Sequence, residues 1–400
     1  MVHNIIKTNC VVAVLICCAQ ILVSCSSSQE EGNNLGNYES VAFNIDPEDV
    51  TTPLEQNQYT IDSVRSLIVP DSLRTFTVDK FFVNDDKIYI MDSHVLYTVL
   101  VFDLDGKYLH KLGGRGRAQN EYPYRPEDFF VSKNGDVHVF DMDGSRILVF
   151  NNQGEFIKKI ATSWVYSFGL TSTDKYLYCL DNPEIQGEEP NPALLMFDPY
   201  SDSKKALVPS KHYTYRYHPR YITFFRNDTR LSHIPILSDS VIVFKDDVVE
   251  KVVRFNFESG FLAKDKPELV IYESKESEKN VNYSNYPYVE AIFDYQETDS
   301  YILVNYLYQS YLKKWLYNKR NKKIIHGDKL FSGLCVFNDY HLKGNQLIVY
   351  VGTENVELLN EYCESEEFDK KEFDKSASQV KALQSGKITA PALFYIKIKQ

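Results

Sequence analysis

From residue 80 onward, hydrophobic and polar positions alternate in short runs separated by polar turns. "FFVNDDKIYIMD" (81–92) is an apolar run, a polar turn and an alternating run ending in Asp, and "FFVSKNGDVHVFD" (129–141) repeats that layout. A period of two over four to eight residues, bounded by Asn, Asp and Gly, predicts half- or fully buried β-strands joined as hairpins. "VFDLDGKYLHKL" (101–112) and "VFNNQGEFIKKI" (149–160) form a second matching pair. Phe102 to Phe150 and Gly106 to Gly154 are both separated by 48 residues. Each glycine falls where a short hairpin loop needs positive φ. A third, degenerate copy follows in "KYLYCLD" (175–181) and "LLMFDPYSDSKKALV" (194–208).

Four antiparallel strands recurring at this interval predict the blade of a β-propeller, since one blade cannot bury both faces without neighbours. Counting onward puts blade four at 220–257, blade five at 288–327 and blade six from 333. The fold class expected is all-β: a six-bladed β-propeller of four-stranded antiparallel blades, with a short helical insertion near the C-terminus. Blade six supplies "GLCVF" (333–337), "QLIVYV" (346–351) and "ALFYIKI" (392–398). Its fourth strand is expected from the N-terminal side, near "DSVRSLIVP" (62–70), so that joining the two ends of the chain locks the ring. The charged segment 354–390 is expected to be the helical insertion, with Val356, Leu359 and Tyr362 on its buried side.

The N-terminal region follows different rules. Lys7 precedes an apolar run, Val11 to Ala19, resumed at Ile21-Leu22-Val23, too short to span a bilayer and read as a secretory signal. Leu22-Val23-Ser24-Cys25 resembles the bacterial lipoprotein box; the other reading is an ordinary signal cut near Ser24 with Cys25 left as a thiol. The expected organisation is a signal peptide over 1–24, a lipidated flexible tether over 25–56 and the propeller over 57–400. The resemblance implies lipid attachment at Cys25, and several acyl chains anchor stably where one does not. Glu30-Glu31, soon after that cysteine, resembles the export signal of some Bacteroides-type surface lipoproteins.

Charge and cysteines narrow the function. The net charge of −11 becomes −12 once Lys7 leaves with the leader, which argues against nucleic acid as a partner. Of seven cysteines, Cys10, Cys17 and Cys18 lie in the leader. Cys179, Cys335 and Cys363 are too scattered for a disulfide framework or a C-x-x-C metal pair. With 29 Tyr and 24 Phe, the body favours strands and can bury a large core.

The pattern "FxV…IYIxD…VFDxDGKYLxKLGGRGRxxNEY", the central "NDTRLSHIPILSDSVIVF" (227–244), the terminal "PALFYIKIK" and the lipoprotein box together resemble the Bacteroides-type six-bladed β-propeller lipoproteins. The resemblance covers most of the mature chain; Arg117-Ala118-Gln119-Asn120 and the segment 354–390 depart from it. It implies a propeller on the cell envelope and no established activity, because this fold is shared with lactonases, lyases and scaffolds.

Two loops attract attention. "KLGGRGRAQNEYPYRPEDF" (111–129) meets neither the dinucleotide nor the P-loop glycine spacing, and its prolines oppose a helix start. It is the connection from blade one to blade two. "SKHYTYRYHPRY" (210–221) connects blades three and four. Labelling strands a to d outward from the axis, both d-to-a connections lie on the face that also carries the b–c loops. The candidate ligand contacts are Arg115, Arg117, Tyr122, Tyr124 and Arg125 in the first loop, and Tyr215, Arg216, Tyr217 and Arg220 in the second, because Arg and Tyr together suit binding to planar and anionic groups. The alternative is structural: the arginines bond strand-end carbonyls or pair with Glu121 and Asp128, and the tyrosines pack.

No catalytic residue, metal or cofactor is expected. H-E-x-x-H and G-x-S-x-G are absent. Asp92, Asp141 and Asp181, recurring at strand ends, fit Asx caps better than a metal ring. The expected function is an outer-membrane lipoprotein, periplasmic or surface-facing, held by its lipid and binding a ligand or envelope protein, with an acidic glycan or peptide as the candidate ligand. The rival readings are a metal-dependent lactonase- or lyase-type enzyme and a structural subunit of an outer-membrane complex.

Overall fold

The computed structural model describes residues 35–73, 76–162, 165–180, 194–208, 214–215, 224–227, 229–272, 282–332, 339–352 and 391–399. The described residues begin with β1 (Glu39–Ile45) and β2 (Tyr59–Ser66), which join blades formed much later. Blade one is β3 (Lys80–Val83), β4 (Lys87–Asp92), β5 (Thr98–Asp103) and β6 (Tyr108–Leu112). Blade two is β7 (Asp128–Val131), β8 (Val137–Asp141), β9 (Arg146–Phe150) and β10 (Phe156–Ala161). Blade three is β11 (Val165–Leu170), β12 (Tyr176–Leu180), β13 (Leu194–Asp198) and β14 (Ser203–Val208), after which β15 (Thr214–Tyr215) lies between blades.

Blade four contains β16 (Phe224–Asn227), β17 (Arg230–His233), β18 (Ser240–Lys245) and β19 (Val248–Phe257). Two one-turn helices, α1 (Leu262–Asp265) and α2 (Pro267–Val270), and β20 (Ile271–Tyr272) lead to blade five. That blade is β21 (Val289–Glu297), β22 (Tyr301–Tyr308), β23 (Tyr311–Asn318) and β24 (Ile324–Gly327). Blade six takes β25 (Asp339–Lys343), β26 (Gln346–Val351) and β27 (Ala392–Ile398) from the C-terminal side and β2 as its outermost strand.

The molecule is thus a ring of six blades, each built on four antiparallel strands as the repeat predicts, with β1 added at the edge of blade four. Its hydrophobic core lies between blades. Met91 and Val101 of blade one meet Phe129 and Val139 of blade two; Leu303 and Leu316 of blade five meet Leu347 and Phe394 of blade six; Ile88 and Leu100 meet Ile348 and Leu393 across the closure. Each such side chain, fully buried, contributes about 1.5–3 kcal/mol. The closure itself is antiparallel, from Tyr59↔Ile398 to Ser66↔Ala392. The chain leaving β2 then bonds to blade one, where the Ile68 N–H donates to the Gly106 carbonyl at 2.8 Å and the Tyr108 N–H to the Ile68 carbonyl at 3.1 Å.

Three expectations need correction. The tether placed over 25–56 contains β1, which adds in parallel to the outer edge of β19 and makes blade four five-stranded. The cause is the alternation of "ESVAFNI", which buries Val41, Phe43 and Ile45 against blades four and five. Phe43 stands edge-on to Trp315 and Tyr317, with centroids at 5.2 and 5.3 Å. The innermost strand of blade six is 339–343, whereas "GLCVF" (333–337) lies outside the described residues. The closing strand is 59–66, a few residues earlier than 62–70, because Tyr59 and Ile61 supply the buried positions. The leader, Cys25 and the insertion 354–390 fall outside the described residues.

Residues 46–58 run from β1 to β2 along blade five. The Thr51 N–H donates to the His326 carbonyl at 2.9 Å, the Leu54 N–H to Leu330 at 2.8 Å and the Tyr308 hydroxyl to Glu48 Oε1 at 2.6 Å. The His326 ring joins this segment to the blade, with Nδ1 at 2.7 Å from the Asp49 carbonyl and Nε2 at 2.6 Å from the Tyr306 hydroxyl.

Candidate ligand-binding face and axial cavity

The connection from β6 to β7 closes on itself as a compact loop. The Tyr122 N–H donates to Gly114 O at 2.8 Å and the Gly116 N–H to Tyr122 O at 2.9 Å. Tyr122 is fully buried and its hydroxyl donates to the Leu112 carbonyl at 2.8 Å. It pins the loop to the end of β6 and is not a ligand-stacking ring, which corrects the expectation for that residue. Gly113, at φ +69°, is required there, because a Cβ would lie 2.7 Å from the Tyr122 ring.

The arginines divide. Arg125 Nε donates to Glu127 Oε1 at 2.8 Å, the structural alternative in part. Of the acids expected to pair, Asp128 accepts from Lys80 Nζ at 2.6 Å and Glu121 Oε2 from the Ala118 N–H at 2.8 Å. Arg115 is exposed and lies near two tyrosine rings, 5.1 Å from the centroid of Tyr97 and 5.8 Å from that of Tyr124. Arg117 is exposed and makes no hydrogen bond or ion pair among the described residues. Tyr124 is 50% exposed. Tyr97, on the b–c loop of blade one, escaped sequence reasoning; the only signal was its position on the same face.

In the second loop, Tyr215 lies in β15, which pairs with β20 through Tyr215↔Ile271, joining the connections that flank blade four. Arg216, Tyr217 and Arg220 lie outside the described residues. Of the strand-end aspartates, Asp92 and Asp141 are caps. Asp92 accepts from the N–H groups of Thr77, His94 and Val95 and from the Thr77 hydroxyl, at 2.7–3.1 Å. Asp141 accepts from the Gly144 N–H and Arg146 Nε. Asp181 is outside the described residues. Among the described residues, no group of three or more His, Cys, Asp or Glu could hold a metal ion.

A second concavity runs along the axis, a cavity of about 310 Å³ lined by the innermost strands. Its aromatic wall comes from doublets that open those strands: Phe81-Phe82, Phe129-Phe130 and Phe225, the second member of Phe224-Phe225. Successive side chains point to opposite faces of a strand, so a doublet serves the interfaces on both sides of its blade. In the lining, Lys80 Nζ bonds Asp128 Oδ1 and the Phe129 carbonyl and sits 3.9 Å from the centroid of Phe130. Blade four bonds across to other blades around the axis. Arg226 donates to the Val131 carbonyl of blade two at 2.7 Å, and Asn227 Nδ2 to the Leu342 carbonyl of blade six at 2.6 Å. Burial pushes the Arg226 guanidinium below its ordinary pKa. His341 is held neutral, at about 3, by burial and by nearby Lys343.

Six blades around an aromatic-lined axis define a six-bladed β-propeller. The chain belongs to the family described as "Domain of unknown function (DUF4934)", whose model matches residues 71–389. Among solved structures it is similar to a Bacteroides fragilis protein described as "Putative exported protein", at 16% identity and TM-score 0.68, covering 90% of this chain and 99% of that one. A DUF4221 family member from Bacteroides vulgatus matches at 13% identity and TM-score 0.47, over 86% and 99% of the two chains. Virginiamycin B lyase from Staphylococcus aureus matches at 11% identity and TM-score 0.39, over 73% and 81%.

Proposed function

We propose that this protein is an envelope-anchored lipoprotein that binds an acidic ligand, a glycan or peptide, on the propeller face carrying the d-to-a connections. One observation carries the reading: Arg115 and Arg117 lie exposed on one loop, without a carboxylate partner among the described residues, and Arg115 stands beside the rings of Tyr97 and Tyr124. An acidic chain that leaves two guanidinium groups uncompensated on one loop presents a local positive patch. Such groups take carboxylate or sulfate bidentately, and the flanking rings stack on sugar or aromatic faces. The anchoring half of the proposal rests on the box Leu22–Cys25.

The test is the double variant Arg115→Ala/Arg117→Ala, assayed on an array of acidic and neutral glycans and peptides. Affinity for acidic ligands falls at least tenfold, while stability stays within about 1 kcal/mol, as for exposed cation–π contacts. Unchanged binding together with lost stability would assign the arginines to the architecture of the loop.

A further inference from the structure

Closing the ring from the two ends of the chain leaves a gap that a hairpin fills elsewhere. In blades one and two the c–d hairpin packs onto the outermost strand of the preceding blade, through Gly106 and Gly154. Blade six has no such hairpin, because its third and fourth strands, β27 and β2, come from opposite ends of the sequence. Where the turn would be, the Lys399 N–H donates to the Gln58 carbonyl at 2.8 Å. At that junction, against the c–d turn of blade five, lies a cavity of about 260 Å³. Aliphatic side chains, Leu54 and Ile398 among them, line part of it; carboxamides, a phenol and ammonium groups line the rest.

Donors dominate the polar part. Asn318 lies directly across from Tyr301 in the β22–β23 register, and both line the cavity. Asn318 Oδ1 accepts from the backbone N–H groups of Arg320 and Asn321, at 2.9 and 3.3 Å. Asn321 Oδ1 accepts from the Lys323 N–H at 3.0 Å, and Gln58 Oε1 from the Glu55 N–H at 2.9 Å. Backbone donors thus occupy the oxygen of each of these carboxamides, which leaves its NH2 group as the available end. Asn318 is 9% exposed and Tyr301 3%, with Asn318 Nδ2 at 3.5 Å from the Tyr301 hydroxyl oxygen. The Tyr301 hydroxyl proton has no acceptor among the described residues. Burial raises the Tyr301 pKa, so the hydroxyl remains a donor.

The charge has the same sense. The c–d turns of blades one to four each carry an acid, at Asp105, Glu155, Asp202 and Asp246, whereas the blade-five turn, "NKRNKK" (318–323), carries none. Among the described residues no carboxylate lines the cavity, and the exposed Lys323 ammonium makes no ion pair. Oriented N–H and O–H donors beside an ammonium favour an anion rich in acceptor oxygens. A volume near 260 Å³ lies just under the range of about 300–1,000 Å³ for drug-sized ligands and suits one sugar ring.

We infer that this closure cavity is a binding site for a single sugar acid, whose carboxylate and hydroxyl oxygens accept from the Tyr301 hydroxyl and the Asn318 and Asn321 amides while Lys323 balances the charge. The c–d turns lie on the face opposite the d-to-a connections, so this site is separate from the loop patch.

The experiment is calorimetric titration of the full-length protein with glucuronate and with glucose, its neutral counterpart. Glucuronate binds with one-to-one stoichiometry and at least tenfold more tightly than glucose. Tyr301→Phe, which removes only the hydroxyl, lowers glucuronate affinity at least threefold. Lys323→Glu, a change at an exposed position, lowers it at least tenfold and decides the matter if Tyr301→Phe fails to fold. Equal affinity for the two sugars, no saturable heat with either, or full affinity in the folded variants would each overturn the inference. So would binding that Arg115→Ala/Arg117→Ala abolishes and these variants spare, which assigns the heat to the loop patch.

Discussion

Tyr122 and Arg117, five residues apart, show what a residue's chemistry does and does not reveal in advance. Both stood out as candidate contacts. One is buried because its hydroxyl reaches the Leu112 carbonyl, while the other stays in solvent without a partner among the described residues. A backbone acceptor leaves no mark in the sequence, so the burial of Tyr122 was illegible, whereas the aspartate caps were legible because Asx turns depend on local spacing. The axial cavity was illegible for a related reason: its phenylalanine doublets look like ordinary core, and only the ring brings them to one axis. Titration follows the same environments. Burial, with nearby Lys158 and Arg226, holds His138 at about 4, and burial with Lys343 holds His341 at about 3, against an ordinary 6.5. The unfolded chain takes up these protons as pH falls below 6.5, and the folded chain does not. Their contribution is complete above 6.5 and declines toward pH 4 by at most about 1.4 kcal/mol per pH unit for each ring. Urea denaturation between pH 7.5 and 4.5 should show this slope, and His341→Phe should reduce it by about one proton.

At the scale of elements, the 48-residue repeat also governs how blades dock. The c–d hairpin glycine of each of the first two blades approaches the outermost strand of the preceding blade. Gly106 meets β2, where a Cβ would lie 2.1 Å from the Ser66 carbonyl oxygen; Gly154 meets β6, where it would lie 2.4 Å from the His110 ring. Both have nearly the same positive φ, +85° and +86°. Substitution by Ala therefore adds the same backbone strain of about 1 kcal/mol, and the difference isolates the collision. His110 can rotate away, whereas the Ser66 backbone is part of the ring closure. Gly106→Ala should cost more than Gly154→Ala by about 1–2 kcal/mol, measured by chemical denaturation of both variants. Blade order and the N-terminal closing strand were legible from repeat spacing and one unmatched strand pattern. β1 was not, because it joins a blade already complete with four strands, so no gap in the repeat called for it.

For the whole molecule, residues 39–66 bind three consecutive blades: β1 on blade four, residues 46–58 along blade five and β2 in blade six. A protein beginning at residue 46 should keep its ring but lose several kcal/mol, since Val41, Phe43 and Ile45 each forfeit about 1.5–3 kcal/mol of burial. Removing 57–66 should abolish cooperative melting, because β27 loses its outer partner; calorimetry of the two truncations distinguishes the effects. In the intact chain, Cys25→Ser should abolish lipid labelling and membrane retention while leaving the melting temperature of the body unchanged, because the lipid is proposed to lie ahead of β1. The same arrangement has a mechanical side. Under tension applied at the N-terminus, load enters at β1, which must shear along seven paired positions of β19 before force reaches the segment over blade five. The strand that closes the ring is last in that series. Were the protein held by the proposed lipid, β1 would act as a sacrificial latch, yielding before load reached the strand that closes the ring.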